Sequence, residues 1–296
     1  MIKRTIDVSQ ASYLHLKNLQ LLIDQEGKTV GRIPVEDLGI LILEHPAITI
    51  TQGVILACQK NNVAVVFCDE RHLPYSTLLP LSEGNQLHSK VLRQQIKISQ
   101  PSKKRLWKII VQEKIRQQAL TLKHSGKPHQ ERVSISSKVK CGASGNLEAE
   151  AARKYWPFLM RKGSVRDFEA EWANALLNYG YSIVRAMIAR ALVGTGLHPA
   201  LGLFHHNQYN GLALADDLME PFRPWVDRIV CKLLMEDSDA QINKESKQKL
   251  LGLPGKQVLW GKKEMPLLVV SHLLATRLKQ AYEDSSLSLI WPEWIE

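Results

Sequence analysis

At Leu81-Ser-Glu-Gly-Asn85 the chain changes its hydrophobic period, and that change constrains the fold more than any other feature. Before it, short β-prone runs read as strands: Ile6 and Val8, Tyr13 through Ile23, and Lys28 to Ile33, with Gln25-Glu-Gly-Lys28 suited to a hairpin turn. Leu38-Gly-Ile-Leu-Ile-Leu43 is apolar without alternation, the pattern of a strand covered on both faces. Thr51 can cap a short helix reaching Lys60, and Val63-Ala-Val-Val-Phe67 reads as another core strand that ends in the turn-forming Cys68-Asp-Glu-Arg-His72. After Asn85 the spacing is helical: Gln86 to Ser99, Ser102 to Leu122, Val165 to Leu192, Trp225 to Met235 and Met265 to Tyr282. Glu236 to Ser246 reads as a polar, mobile connection. The tail Leu287 to Glu296, with Trp291 and Trp294, is apolar enough to dock on its own domain or on a partner. The expected class is therefore α+β: a small β-rich N-terminal scaffold domain over 1–80, a linker over 81–88, and a larger all-helical domain over 89–296.

Charge is distributed as unevenly as period. Between Gln86 and Lys140 stand fourteen Lys and Arg against two acids, a local excess larger than the +10 of the whole chain. Lysines spread over a helical surface neutralise phosphates without reading bases, so this region, with Lys103, Lys104, Arg105 and Lys108 on one helix, points to sequence-independent DNA binding. The N-terminus is too polar for a signal peptide, no apolar run reaches membrane-spanning length, and Cys58, Cys68, Cys141 and Cys231 form no paired motif. The expectation is a soluble cytoplasmic protein with reduced thiols and no membrane partner.

Two stretches carry chemistry. In Gly196 to Arg223 the pair His205-His206 is followed by Asp216, Asp217 and Glu220, set among residues that read as core. Carboxylates beside Leu218, Met219 and Phe222 must be solvated, paired, or hold a cation. Oxygen ligands with one imidazole suit Mg²⁺ or Mn²⁺, while the alternative is an acidic first helical turn with a core histidine. In the second stretch Asn146 can cap a helix on which Glu148, Ala151, Ala152, Tyr155 and Leu159 share one stripe, whereas Glu150 faces Arg153 and Lys154. Glu148 then lies on the buried face, where a shared metal or the helix N-terminus would keep it ionised. Asn174 and Asn178, one turn apart on the long helix, are buried-polar candidates to brace the site.

Taken in order, Asn146-Leu-Glu148-Ala-Glu-Ala-Ala-Arg-Lys-Tyr155-Trp, Asn174-Ala-Leu-Leu-Asn178-Tyr-Gly-Tyr181, Gly196-Leu-His-Pro-Ala-Leu-Gly-Leu-Phe-His205 and Leu214-Ala-Asp-Asp217-Leu-Met-Glu220-Pro-Phe-Arg223-Pro resemble the integrase-endonuclease family of CRISPR adaptation, most nearly its type II branch. The resemblance spans essentially the whole chain and implies a homodimer, a complex with the small ferredoxin-like adaptation protein, and association with type II accessory and RNA-guided effector proteins. It implies catalytic metal ligands at Glu148, His205 and Glu220, with Asp217 in support; the residues themselves add Asn178 and Tyr155 as supporting candidates and Arg223 as a candidate phosphate contact. Leu147 departs from the family, many members of which have Arg there.

The expected function is metal-dependent insertion of short DNA duplexes, the new spacers, into a CRISPR array by 3′-hydroxyl transesterification. Two rivals stand beside it: a metal-dependent nuclease of branched or damaged DNA, and a basic DNA-binding protein without catalysis.

Overall fold

The computed structural model describes residues 3–81, 84–126, 155, 171–237 and 240–295. In the N-terminal region β1 (Arg4–Val8), β5 (Leu38–Leu43) and β7 (Ala64–Cys68) are parallel, and β8 (Pro74–Leu78) closes that sheet antiparallel in the order β1-β5-β7-β8. A second sheet has the order β4-β3-β2-β6, from β2 (Tyr13–Lys17), β3 (Gln20–Gln25), β4 (Lys28–Pro34) and β6 (Thr49–Ile50). Helix α1 (Gln52–Lys60) lies in the connection that brings β7 parallel to β5.

The apolar run in β5 is buried throughout because each face meets a different core. Leu41, Leu43 and Val65 join a small core with Leu14, Leu21 and Ile33 of the second sheet and Val54 of α1. Ile40, Ile42, Ala64 and Val66 point the other way, into the large helical core. The β-rich region and the helices are thus tied by one sheet face.

Two local expectations are corrected here. Tyr13 to Ile23 is two strands, not one run, because Asn18 and Leu19 take left-handed φ of 50° and 59° and reverse the chain without a glycine. Thr51 stands at the N-cap of α1, yet its side chain accepts no hydrogen bond there. The turn at Gln25 to Lys28 follows its sequence, with Glu26 and Gly27 at φ of 49° and 76°.

Among the described residues the chain continues with α2 (His88–Lys97), α3 (Gln100–His124), α4 (Glu171–Gly194), α5 (Ala213–Met219), a 3₁₀ turn (Glu220–Phe222), α6 (Arg223–Glu236), α7 (Lys244–Leu251) and α8 (Leu267–Glu283). The start expected for the long helix near Val165 lies outside the described residues. Among the described residues no helix is long and apolar enough to cross a membrane, and Cys58, Cys68 and Cys231 are free thiols.

The C-terminal region is not all-helical as expected. A three-stranded sheet, β10-β9-β11, is built from β9 (Gln257–Trp260), β10 (Lys263–Pro266) and β11 (Glu293–Trp294). Gly261, at φ 64°, permits the β9–β10 turn, and the apolar tail supplies the third strand. The tail therefore docks on its own chain: the Trp294 ring lies 4.6 Å from the Arg228 guanidinium carbon and 4.3 Å from the Lys256 ammonium, and meets Trp225 edge-on at 5.3 Å.

Within the stretch read as a polar, mobile connection, residues 240–246 are built around a helix cap. Asn243 accepts from the Ser246 N–H at 2.9 Å while Ser246 Oγ accepts from the Asn243 N–H at 2.9 Å, a reciprocal cap that starts α7. Lys247, one residue on, is buried and pairs with Glu44 at the end of β5.

Candidate functional site

The site is assembled where α4 ends. The chain leaves α4 through Gly196, at φ 88°, and runs as a loop to α5. Asp217, on α5 and wholly buried, gathers that loop. One carboxylate oxygen accepts the backbone N–H groups of Leu203 at 2.6 Å and Phe204 at 3.1 Å, and the other accepts the N–H of His205 at 3.2 Å and its Nδ1 at 2.6 Å. Gly202 is needed for this approach, since a Cβ there would collide with the His205 carbonyl and stand 3.1 Å from Asp217 Oδ2.

An acceptor-only carboxylate fixes the tautomer. With Asp217 accepting, Nδ1 carries the proton and Nε2 keeps its lone pair. The hydrogen bond to Asp217 raises the His205 pKa above the ordinary 6.5, partial burial opposes the rise, and the charges of Asp217, Glu220 and Asp216 add to it.

Glu220 opens the 3₁₀ turn after α5, nearly buried. Its Oε2 lies 2.5 Å from Lys114 Nζ on α3, and its Oε1 is 3.7 Å from Arg223 Nη1. Neighbouring cations thus already offset its charge. Asp216 is claimed elsewhere, by Arg185 at 2.6 and 2.9 Å and by Asn210 at 2.7 Å. Of the carboxylates in this stretch, one is paired outward, one orients the imidazole, and Glu220 faces the basic helix α3.

Behind Glu220 a buried carboxylate supports the wall. Asp227, on α6, accepts from the Tyr155 hydroxyl at 2.9 Å and from the Tyr181 hydroxyl, and the Arg223 guanidinium lies over the Tyr181 ring at 4.1 Å. Tyr155 is fully buried, so the stripe read around it does face the core at this residue. Burial pushes the Asp227 pKa from 3.8 up to about 7, although both tyrosines and the charges of Arg223 and Lys114 pull it down. A folded-state pKa above the unfolded one gives stability that is complete below about pH 4 and lost as pH rises through about 7. Asp227→Asn is accordingly expected to gain melting temperature relative to the native chain as pH is raised from 5 to 8, read from melts at each pH. Parallel curves would contradict this burial argument.

The other expected site residues fall as follows. Asn178 and its neighbour Asn174 are exposed, so the expectation that they are buried braces is corrected. Spacing put them together but could not say which face of α4 turns inward. Lys104 is exposed and Lys103 and Lys108 are half-buried on α3, whereas Arg105 donates to the Leu287 carbonyl at 3.0 Å and helps hold the tail. Glu148 and its motif, apart from Tyr155, lie outside the described residues. Among the described residues no group of three His, Cys, Asp or Glu side chains gathers to hold a metal ion. The donors that are described nevertheless fit one in kind: an imidazole nitrogen with its opposite nitrogen engaged, and the Glu220 carboxylate, whose Oε1 lies no closer than 3.7 Å to Arg223 Nη1. Lys114, Arg185 and Asp227 were not singled out from the sequence, where each reads as an ordinary charged helix residue.

A family model described as CRISPR associated protein Cas1 matches residues 8–259. The chain is similar to the CRISPR-associated endonuclease Cas1 of Neisseria meningitidis serogroup C (strain 8013), with 36% identity over 235 residues covering 79% of this chain and 76% of the relative. It is also similar to a CRISPR-associated endonuclease Cas1 of Francisella tularensis subsp. novicida (strain U112), 25% identical over 254 residues, 78% of this chain and 79% of that protein. Among solved structures, a casposase bound to integration product has the same fold, with TM-score 0.77 at 19% identity, over 100% of this chain and 95% of that one. A Cas6-RT-Cas1–Cas2 complex matches at TM-score 0.73 and 18% identity, over 100% of this chain and 37% of that one.

Proposed function

The chain belongs to the Cas1 family, and from that premise we propose that it is a metal-dependent DNA integrase and endonuclease of CRISPR adaptation, joining the 3′ ends of a short duplex to an array by transesterification. The observation that carries this reading is the His205 imidazole, oriented by buried Asp217 so that Nε2 is free, on the same short segment as Glu220. His205 Nε2, Glu220 and Glu148 would hold Mg²⁺ or Mn²⁺. Once bound, that ion would lower the pKa of the attacking hydroxyl and neutralise charge on the phosphate.

The chain's own residues do the rest. Asp217 fixes the imidazole and the loop that bears it. Lys114 and Arg223 hold the Glu220 carboxylate against α3, whose Lys103, Lys104 and Lys108 attract the DNA backbone. Arg223, stacked on Tyr181, would contact phosphate from the same wall. A casposase with its integration product and a Cas1–Cas2 complex are relatives in fold, which supports DNA and a small ferredoxin-like adaptation protein as partners here. Homodimerisation, the type II branch with its accessory and effector proteins, and action in the cytoplasm belong to the same proposal.

The test is joining of a labelled duplex to supercoiled plasmid with Mg²⁺ or Mn²⁺, against EDTA and against a duplex with blocked 3′ ends. Integration requires the metal and the free 3′-hydroxyl. Cleavage that proceeds equally with blocked ends would favour the nuclease reading, and no effect of metal would favour a DNA-binding protein without catalysis.

A further inference from the structure

Beside His205 stands an aromatic pair that neither the metal nor the phosphate contacts use. Phe204 lies flat on Trp107 of α3, with ring centroids 4.5 Å apart and planes parallel at 0°. Both rings meet the His205 imidazole edge-on, Phe204 at 5.6 Å and Trp107 at 5.9 Å. Trp107 is 4% exposed and belongs to the core, yet Phe204 is 46% exposed even though Trp107 covers one of its faces. The Phe204 backbone N–H is tied to Asp217 at 3.1 Å, so the ring is carried by the same anchor that orients His205.

A single exposed apolar ring is ordinary on a protein surface, and what sets this one apart is its setting. Here it is preorganised, flat, and one residue from the imidazole, while the helix that backs it carries Lys103 and Lys104 one turn before Trp107. Cations for a backbone beside a flat aromatic face are what a DNA strand requires, because every base has a π-face whatever its sequence. We propose that Phe204, backed by Trp107, is a stacking platform for one nucleobase of the DNA next to the reacting phosphate, and so positions that phosphate over His205. This rests on the reading of that face as the DNA-reactive one.

The test uses DNA binding by the full chain in EDTA, so that it does not depend on integration activity. A series of branched DNA substrates, each with one abasic nucleotide at a different position, is titrated against the native chain, Phe204→Ala and Phe204→Trp. Phe204→Ala is expected to weaken binding to intact DNA by about 5- to 100-fold, and Phe204→Trp to restore it. At one position the abasic substrate should weaken native binding by a similar factor and leave Phe204→Ala no worse, since each change removes the same contact. Losses that multiply at every position, or an unchanged affinity in a folded Phe204→Ala chain, would overturn the proposal. The same platform intact with no strand transfer in the plasmid assay would instead remove the integrase reading alone.

Discussion

Asp217→Asn is expected to leave the chain folded while lowering strand transfer by about 10- to 100-fold. The amide can keep an oxygen toward the Leu203 and Phe204 N–H groups, but its NH₂ then faces the His205 N–H and Nδ1. A donor there cannot accept from Nδ1, so the imidazole moves its proton to Nε2 and loses the lone pair a metal needs. Asp217→Ala differs, because it removes every acceptor from the loop and leaves the buried Leu203 N–H unsatisfied. It should cost about 2–4 kcal/mol of stability as well as activity. Thermal melts beside single-turnover rates separate the two effects. An Asn variant that reacts at the native rate would mean that the tautomer of His205 is irrelevant.

The second large effect is expected at the ligands themselves. His205→Ala and Glu220→Gln should each lower metal-dependent strand transfer by about a thousandfold or more, since a bound divalent ion contributes several kcal/mol to phosphoryl transfer. Their stabilities should diverge. His205 is half-exposed, and Asp217 keeps three backbone N–H donors without it, so its removal should lower the melting temperature only modestly, whereas Glu220→Gln withdraws the charge that faces Lys114 at 2.5 Å in a buried position. DNA affinity should stay near native in both, because the lysines that attract the backbone are untouched. Retained activity in either variant would place the reaction at another site.

Much of this arrangement could be read from residue types alone. Imidazoles and carboxylates in an otherwise apolar stretch are conspicuous, and within the region from Gly196 to Arg223 the His205 imidazole does meet its orienting carboxylate, Asp217. The unalternating run in β5 likewise implies cover on both faces, which two separate cores provide. What escaped were features set by partners distant in sequence. The two-residue strand β11 exists only because β9 offers an edge for it, and no periodicity can announce so short a pairing. Lys114 was one basic residue among many until α3 packed against the turn holding Glu220. Asn178 was misplaced for the converse reason, since its spacing from Asn174 fixes a shared face but not the direction of that face.

The most direct measurement is Mn²⁺ binding to the full chain, followed by electron paramagnetic resonance, in the native protein and in Glu148→Gln, His205→Ala and Glu220→Gln. If two acidic side chains and one imidazole share an ion, all three variants weaken the same single site by about tenfold or more. Native-like Mn²⁺ affinity in every variant, or in Glu148→Gln while the other two lose it, would contradict the shared centre.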